Sequence, residues 1–153
     1  MQDYDLIQHL GQGSFGQVVE GQCKISKRTV AIKLISNFSY YEYDCVKVIR
    51  EIQIMRGIHQ TAKNGICCFV PELLDLIIPS DEDEDNLKNI FIVMEHEQSD
   101  LRQLLKLGGQ SKLTEEHVKL ILYNLLCAFK YLHSANVVHR DIKPSNILIN
   151  KDC

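Results

Sequence analysis

The chain has 153 residues, 45% of them hydrophobic and 24% charged, with a formal net charge of −3. That is the make-up of an ordinary globular domain with enough chain to bury a core, and it gives no electrostatic basis for binding nucleic acid. The polar, acidic start Met1-Gln2-Asp3-Tyr4-Asp5 lacks the basic lead and apolar core of a signal peptide, and the longest apolar helical stretch, Val118 to Leu132, is interrupted by Lys119, Asn124 and Lys130, which makes it a poor membrane span.

Strands dominate the first third. Tyr4 to Leu10 roughly alternates in polarity and then meets glycines. Gln17 to Gly21 continues beyond them, and Arg28 to Ile35 is β-branched and apolar behind Lys27-Arg28. Three such runs with short turns predict an antiparallel meander. A helix is predicted from about Tyr43 to Arg56, with Cys45, Ile49, Ile52 and Met55 at helical spacing and Lys47, Arg50, Glu51 and Gln53 between them. Two more strands are predicted at Glu72–Ile78 and Asn89–Met94, and the acidic run Ser80 to Asp85 between them reads as a solvated loop.

From Ser99 the pattern turns helical, and the segment around Glu95 to Ser99 marks the expected boundary between two parts. Asp100 to Leu107 is predicted as a short helix ended by Gly108-Gly109. Thr114 is placed to cap a long helix, with Glu115 and Glu116 at its positive end. Val118, Ile121, Leu122, Leu125, Phe129 and Leu132 make one apolar stripe on it, and it is expected to end near Ser134-Ala135-Asn136. Six cysteines, at 23, 45, 67, 68, 127 and 153, form no Cys-x-x-Cys pair. That speaks against a zinc site and for free thiols in a reducing cytosol or nucleus.

Three segments carry chemistry. Gly11-Gln12-Gly13-Ser14-Phe15-Gly16 fits Gly-x-Gly-x-x-Gly. A backbone without β-carbons approaches phosphate oxygens closely and points N–H groups at them. The pattern is short, and many matches are plain tight turns. A dinucleotide-binding version opens a helix after the glycines, whereas Val18-Val19 begins another strand, which favours a hairpin over phosphates. Lys33, at the end of Val30-Ala31-Ile32-Lys33, is either a solvated strand terminus or an ammonium on nucleotide phosphates. The second role needs a carboxylate to hold the lysine stem. Glu51, beside the apolar residues that face the sheet, is the candidate, with a surface pair to Lys47 as the alternative. Finally, His139-Arg140-Asp141-Ile142-Lys143-Pro144-Ser145-Asn146 gathers a carboxylate, an amine and an amide, stiffened by Pro144. Such a set serves phosphoryl transfer: Asp141 orients a hydroxyl, Lys143 neutralises the moving phosphate and Asn146 ligates magnesium. A polar turn after a helix is the bland alternative. The ordered sequence of glycines, Lys33, Glu51 and this loop weighs against it.

In that order and register the motifs resemble those of eukaryotic protein kinases across nearly the whole chain. Arg50-Glu51-Ile52-Gln53-Ile54-Met55, the run Ile92 to Leu101, and Lys143-Pro144-Ser145-Asn146 are most similar to mitogen-activated protein kinases, with cyclin-dependent kinases as neighbours. The resemblance implies an α+β, two-lobe fold. Residues 1–97 would be a complete β-rich lobe with one helix, residues 98–153 the first part of a helical lobe, and ATP would bind in the cleft between. It implies magnesium-dependent transfer of the γ-phosphate of ATP to serine or threonine of protein substrates, since Lys143 stands where tyrosine kinases carry arginine-containing loops. Lys33, held by Glu51, would grip the phosphates under the hairpin formed by Gly11, Gln12, Gly13, Ser14, Phe15 and Gly16. Asp141 would be the catalytic base, Lys143 would reach the same phosphate, Asn146 would hold the metal, and Ser145 is counted among the nucleotide-binding residues. Leu10, Val18, Ala31 and Leu148 would sandwich adenine, Met94 would guard the back of its pocket, backbone groups of Glu95 and Glu97 would hydrogen-bond it, and Asp100 would meet the ribose. Arg140 before Asp141 implies ordering by phosphorylation, hence an upstream activating kinase as a partner. Neither nucleic acid nor membrane is an expected partner, and the expected location is the cytoplasm or nucleus.

The family pattern places Asp-Phe-Gly a few residues beyond Cys153, and Ile147-Leu148-Ile149 reads as a strand whose hairpin partner is missing. The 153 residues thus read as the front part of a kinase, expected to be inactive alone. The alternative is a non-catalytic nucleotide- or partner-binding protein, a decoy or scaffold. The stripe on the long helix is expected to face water and promote association. A dinucleotide oxidoreductase is a third reading, without the βαβ unit it needs.

Overall fold

A computed structural model describes residues 2–13, 16–36, 38, 42–61, 69–79, 89–106 and 113–150. Ser14, Phe15, the Ser80–Asp85 run, Leu107, the Gly108-Gly109 helix end, Cys67, Cys68 and Cys153 lie outside the described residues. The chain divides into two compact units, Met1–His96 and Glu97–Cys153.

The first unit is built on a five-stranded antiparallel sheet of β1 (Tyr4–Gly13), β2 (Gly16–Cys23), β3 (Thr29–Ser36), β4 (Leu73–Ile77) and β5 (Asn89–Glu95), ordered β1-β2-β3-β5-β4. The predicted meander is β1-β2-β3. The β-branched strands β3 and β5 take the middle, where both faces are covered, and Ile32, Ile92 and Val93 are fully buried. β1 carries two irregularities in its pairing, between Leu6 and Gln8 and between His9 and Gly11. Bulges of this kind sharpen the twist of a strand.

On one face Val30, Ile32 and Val93 pack with Tyr4, Val19, Leu74, Ile77 and Phe91. There the Tyr4 hydroxyl donates to Asp75 Oδ2 at 3.1 Å, joining the two edge strands β1 and β4. A tyrosine spans that gap only because the twisted sheet curls. Burial, then the Asp75 carboxylate, pushes the Tyr4 phenol up to about 12.

The other face is covered by α1 (Glu42–Thr61) through Ile35, Phe38, Val48, Ile52, Ile90 and Ile92, with Cys45, Leu73, Leu76 and Met94 packed around them. Two expectations for this helix are corrected. Val48, not Ile49, belongs to the buried stripe: Val48 is 2% exposed and Ile49 45%. At about 100° per residue, Cys45, Val48, Ile52 and Met55 share one arc, and Ile49 falls about 80° to one side of its centre. Glu51 falls about as far to the other side, at the edge of the buried stripe. The helix also continues past Arg56, where it was expected to end, and runs through Gly57 to Thr61. Ile58 is buried, and His59 Nε2 meets the carbonyls of Val70 (3.0 Å) and Pro71 (3.3 Å), so tertiary contacts outweigh a glycine cost of about 1 kcal/mol.

The second unit contains β6 (Ser99–Asp100), α2 (Leu101–Lys106), α3 (Glu115–Ser134), a 3₁₀ turn at Pro144–Asn146 and β7 (Leu148–Ile149). β7 is not left without a partner: it pairs antiparallel with β6, Ser99 opposite Ile149 and Asp100 opposite Leu148. The bond from Leu101 N–H to Ile147 O, 2.8 Å, extends this contact. Thr114 caps α3 as expected, but the reciprocal partner is His117, whose Nδ1 accepts from Thr114 N–H at 3.2 Å. At the other end Asn136, at φ 57°, closes a Schellman arrangement: its N–H reaches His133 O (3.0 Å) and Val137 N–H reaches Leu132 O (2.9 Å). Of the predicted stripe Leu132 is buried, Ile121, Leu125 and Phe129 are half-buried, and Val118 and Leu122 are exposed. Among the described residues no helix is long and apolar enough to cross a membrane, and Cys23, Cys45 and Cys127 carry free thiols.

Candidate active site

Strand register brings most of the nucleotide candidates of the first unit onto one face. Paired residues of an antiparallel sheet point the same way. Gly11 lies opposite Val18, Val18 opposite Lys33, and Lys33 opposite Ile92; one step along, Ala31 lies opposite Met94. Met94 packs against the α1-side cluster, so Val18, Ala31, Lys33 and Met94 share the face that α1 partly covers. Leu10 sits at the second β1 irregularity, half open to solvent.

Two glycines of the hairpin differ in what demands them. A β-carbon on Gly16, which has φ +140°, would fall 1.8 Å from Leu34 O, so the β2–β3 approach requires a glycine there. A β-carbon on Gly11 would meet nothing within 4 Å among the described residues. Packing among the described residues therefore does not explain Gly11, and the space beside its backbone suits the close approach of a ligand. Gly13 pairs with Gly16 across the hairpin, and Gln12 with Gln17.

Lys33 leaves β3 on this face and meets Glu51 from α1, with Nζ 2.6 Å from Oε1 and 2.9 Å from Oε2. The lysine side chain is 17% exposed and the glutamate 37%, so the pair is screened less than a surface pair. Lys47 takes a different acid, Asp44, at 3.3 Å. The surface alternative for Glu51 is not the one formed.

In the second unit the segment 139–146 closes on itself. Arg140 adopts the left-handed region at φ 65°, and His139 Nδ1 accepts from Asp141 N–H at 3.3 Å. Lys143 Nζ lies 2.8 Å from Asp141 Oδ2. Asn146 donates from its amide to Asp141 O (2.8 Å) and Asp141 Oδ2 (3.0 Å). The Lys143 and Asn146 hydrogen bonds hold the Asp141 carboxyl below the usual carboxylate range, against an opposing effect of desolvation. Pro144 opens the turn that folds Ser145 and Asn146 back toward Asp141.

With its amide N–H groups on Asp141, Asn146 presents its carbonyl oxygen, a hard ligand of the kind magnesium takes. That oxygen is one ligand, and among the described residues no group of three or more His, Cys, Asp or Glu side chains is placed to hold a metal ion. The Lys33 ammonium and the backbone at Gly11 fit a polyphosphate.

Asp100 caps α2: its Oδ1 accepts from Gln103 N–H at 2.7 Å and its Oδ2 from Gln103 Nε2 at 3.1 Å. Glu97 is half-buried and Leu148 is exposed. Sequence reasoning missed one cluster altogether. Arg28 bridges Glu95 (2.9 Å) and Glu72 (3.4 Å) where β5 ends. Its only sequence signal is a pair of cations leading into β3, which says nothing of partners so distant in the chain.

Comparison with known proteins bears on both units. A family model described as "Protein kinase domain" matches residues 4–153. Extracellular signal-regulated kinase 2 of Dictyostelium discoideum is 36% identical over 100% of the chain. Mitogen-activated protein kinase homolog NTF6 of Nicotiana tabacum is 37% identical over 96% of it, and mitogen-activated protein kinase mpk-1 of Caenorhabditis elegans 40% identical over 98%. The chain spans 38%, 37% and 31% of the length of these relatives, respectively. The family match takes in the strand lysine, the helix glutamate that meets it and the loop around Asp141, and by it the chain belongs to the protein kinase domain family.

Proposed function

We propose that this protein is an ATP- and magnesium-dependent serine/threonine kinase of the mitogen-activated type, acting on protein substrates and itself controlled by an upstream kinase. Its small lobe is residues 1–97 and its helical lobe begins at 98. The observation that carries the reading is the Lys33–Glu51 pair, 2.6 Å long, on the sheet face that also holds Val18, Ala31 and Met94. An apolar floor beside a fixed ammonium suits a nucleotide whose base needs area and whose phosphates need charge. Leu10 and the Glu95 backbone are the further residues of the first unit assigned to adenine, and Glu97, Asp100 and Leu148 are assigned to the nucleotide by likeness to the family alone.

The chemistry of the loop follows from its electrostatics. A carboxylate whose pKa is lowered, as that of Asp141 is by Lys143 and Asn146, is a weaker base. It works by accepting a hydrogen bond from the substrate hydroxyl and aiming it, rather than by stripping its proton early. Lys143 offsets charge on the moving phosphoryl group, and Asn146 would ligate magnesium, which when bound would supply charge neutralisation on the phosphates. The likeness to mitogen-activated kinases over 96–100% of the chain supports the substrate class, and with it the cytoplasm or nucleus as the place of action. The −3 net charge supports the exclusion of nucleic acid as a partner.

Calorimetry on the chain tests the site. Magnesium-ATP is expected to bind, and Lys33→Met to weaken it about ten- to hundredfold, the value of a charge-assisted contact. Adenosine, which has no phosphate for Lys33 to grip, should be unaffected by the change. Failure of ATP to bind, or equal loss for ATP and adenosine, would sink the proposal. A polypeptide of residues 1–153 has Asn146 as its single metal ligand of the family pattern, so it is expected to bind nucleotide without phosphorylating a serine/threonine peptide. Peptide phosphorylation that Asp141→Asn abolishes would overturn that part.

A further inference from the structure

We propose that Arg28 is a positioning residue for the adenine-contacting backbone at the end of β5. The inference rests on the reading of Glu95 as part of that backbone.

β5 is held to β3 up to the Val30–Glu95 pair, the last rung of the ladder at this end. The direction in which the backbone leaves the sheet after Glu95 is therefore set by whatever holds Glu95 itself. Three contacts beyond that rung do so, and a fourth braces its partner Glu72. Glu95 N–H donates to Glu72 O at 2.9 Å. Glu72 N–H donates back to Glu95 Oε2 at 3.4 Å. Arg28 Nη2 donates to Glu95 Oε1 at 2.9 Å, and Arg28 Nη1 to Glu72 Oε2 at 3.4 Å. Three chain segments, the lead into β3, the lead into β4 and the end of β5, thus meet at one guanidinium.

The charge count makes Arg28 the controlling member. Two carboxylates share one cation, and without it they would stand side by side and repel. The backbone bond between Glu95 and Glu72 would then carry the strain. Geometry makes the residue specific as well: two separate nitrogens of a rigid fork serve two separate acids, which a lysine ammonium on a flexible stem does not reproduce. The side chains are 44%, 47% and 36% exposed for Arg28, Glu72 and Glu95. Contacts that open are worth a few-fold each in an equilibrium constant and are screened by salt. The clamp can shift adenine affinity by no more than that.

The test titrates the full 153-residue chain with adenosine, ATP and inorganic tripolyphosphate. Arg28→Ala should bind adenosine and ATP each about three- to fivefold more weakly and tripolyphosphate unchanged. Arg28→Lys should recover part of the loss. Glu95→Gln should resemble Arg28→Ala, and the double variant should be no worse than the poorer single one, because the two act through each other. High salt should weaken the wild type toward the variants. If wild type binds adenosine and both single variants bind it equally well, the clamp is refuted while the site stands. Equal loss of all three ligands would likewise refute it in favour of general destabilisation, and where Arg28→Ala fails to fold, the near-isosteric Glu95→Gln decides. A wild-type chain that binds no adenosine would remove the adenine reading and this proposal with it.

Discussion

Asp141 owes its acidity to neighbours rather than to burial. Lys143 and Asn146 both bond its Oδ2, and the side chain is 62% exposed. Removing the lysine should therefore move the titration more than any change of packing. In Lys143→Ala the Asp141 carboxyl is expected to rise toward the ordinary carboxylate range, with a smaller rise in Asn146→Ala, read by NMR titration of the carboxyl carbon. The sign for stability follows. A carboxyl whose folded pKa is depressed adds stability that is present above its ordinary range and is lost as pH falls through the depressed value. The wild-type contribution should thus fade only in acid, and Lys143→Ala should narrow that acid window. An unchanged Asp141 titration in Lys143→Ala would refute the pairing. This cluster was legible in the sequence because its members lie within five residues and the turn residue Pro144 sits among them. Arg28 was not legible, since its partners are 44 and 67 residues away and nothing local announces them.

At the scale of elements, helix ends were legible where a cap was spelled by residue type and obscured where tertiary contacts intervened. Thr114 announced the start of α3, yet its partner His117 is not the Glu or Gln that the usual capping box would suggest. The end expected near Arg56 is overridden by the contacts of Ile58 and His59. Val48 and Ile49 are equally good periodic partners of Cys45 and Ile52, and only the sheet they pack on chooses between them. The α3 terminus is the case where local chemistry decides alone. Asn136 holds φ 57°, a conformation that costs a residue with a β-carbon about 1–2 kcal/mol and asparagine less. Asn136→Gly is expected to leave stability unchanged or slightly raised. Asn136→Val should lower it by about 1–2 kcal/mol, seen as an earlier urea midpoint with the same slope. Equal midpoints for the two variants would show that the left-handed cap does not matter to the fold.

For the whole molecule, the layout of strands was only partly readable. Local hairpins gave β1-β2-β3, but the insertion of β5 between β3 and β4 depends on which strand best fills the middle of the sheet. The β6–β7 pair joins residues about fifty positions apart and leaves almost no periodic signal, being two residues long on each side. The apolar content of α3, by contrast, was plain in the sequence, and its consequence belongs to the molecule as a whole. Val118, Leu122 and Leu126, spaced four apart, are 53%, 55% and 57% exposed, forming a ridge along one side of the helix. The neighbouring Tyr123 is 66% exposed. An apolar surface of this kind in water favours self-association. The polypeptide of residues 1–153 is expected to bind an apolar-surface dye and to sediment as oligomers. Leu122→Glu with Leu126→Glu should cut dye fluorescence by about half or more and shift sedimentation toward monomer, with helical circular dichroism preserved, because a charge on an exposed position costs little stability while it breaks the apolar contact between copies. A wild-type chain that is already monomeric and dark to the dye would show instead that the ridge is covered in solution, and the double variant should then lose stability rather than gain solubility.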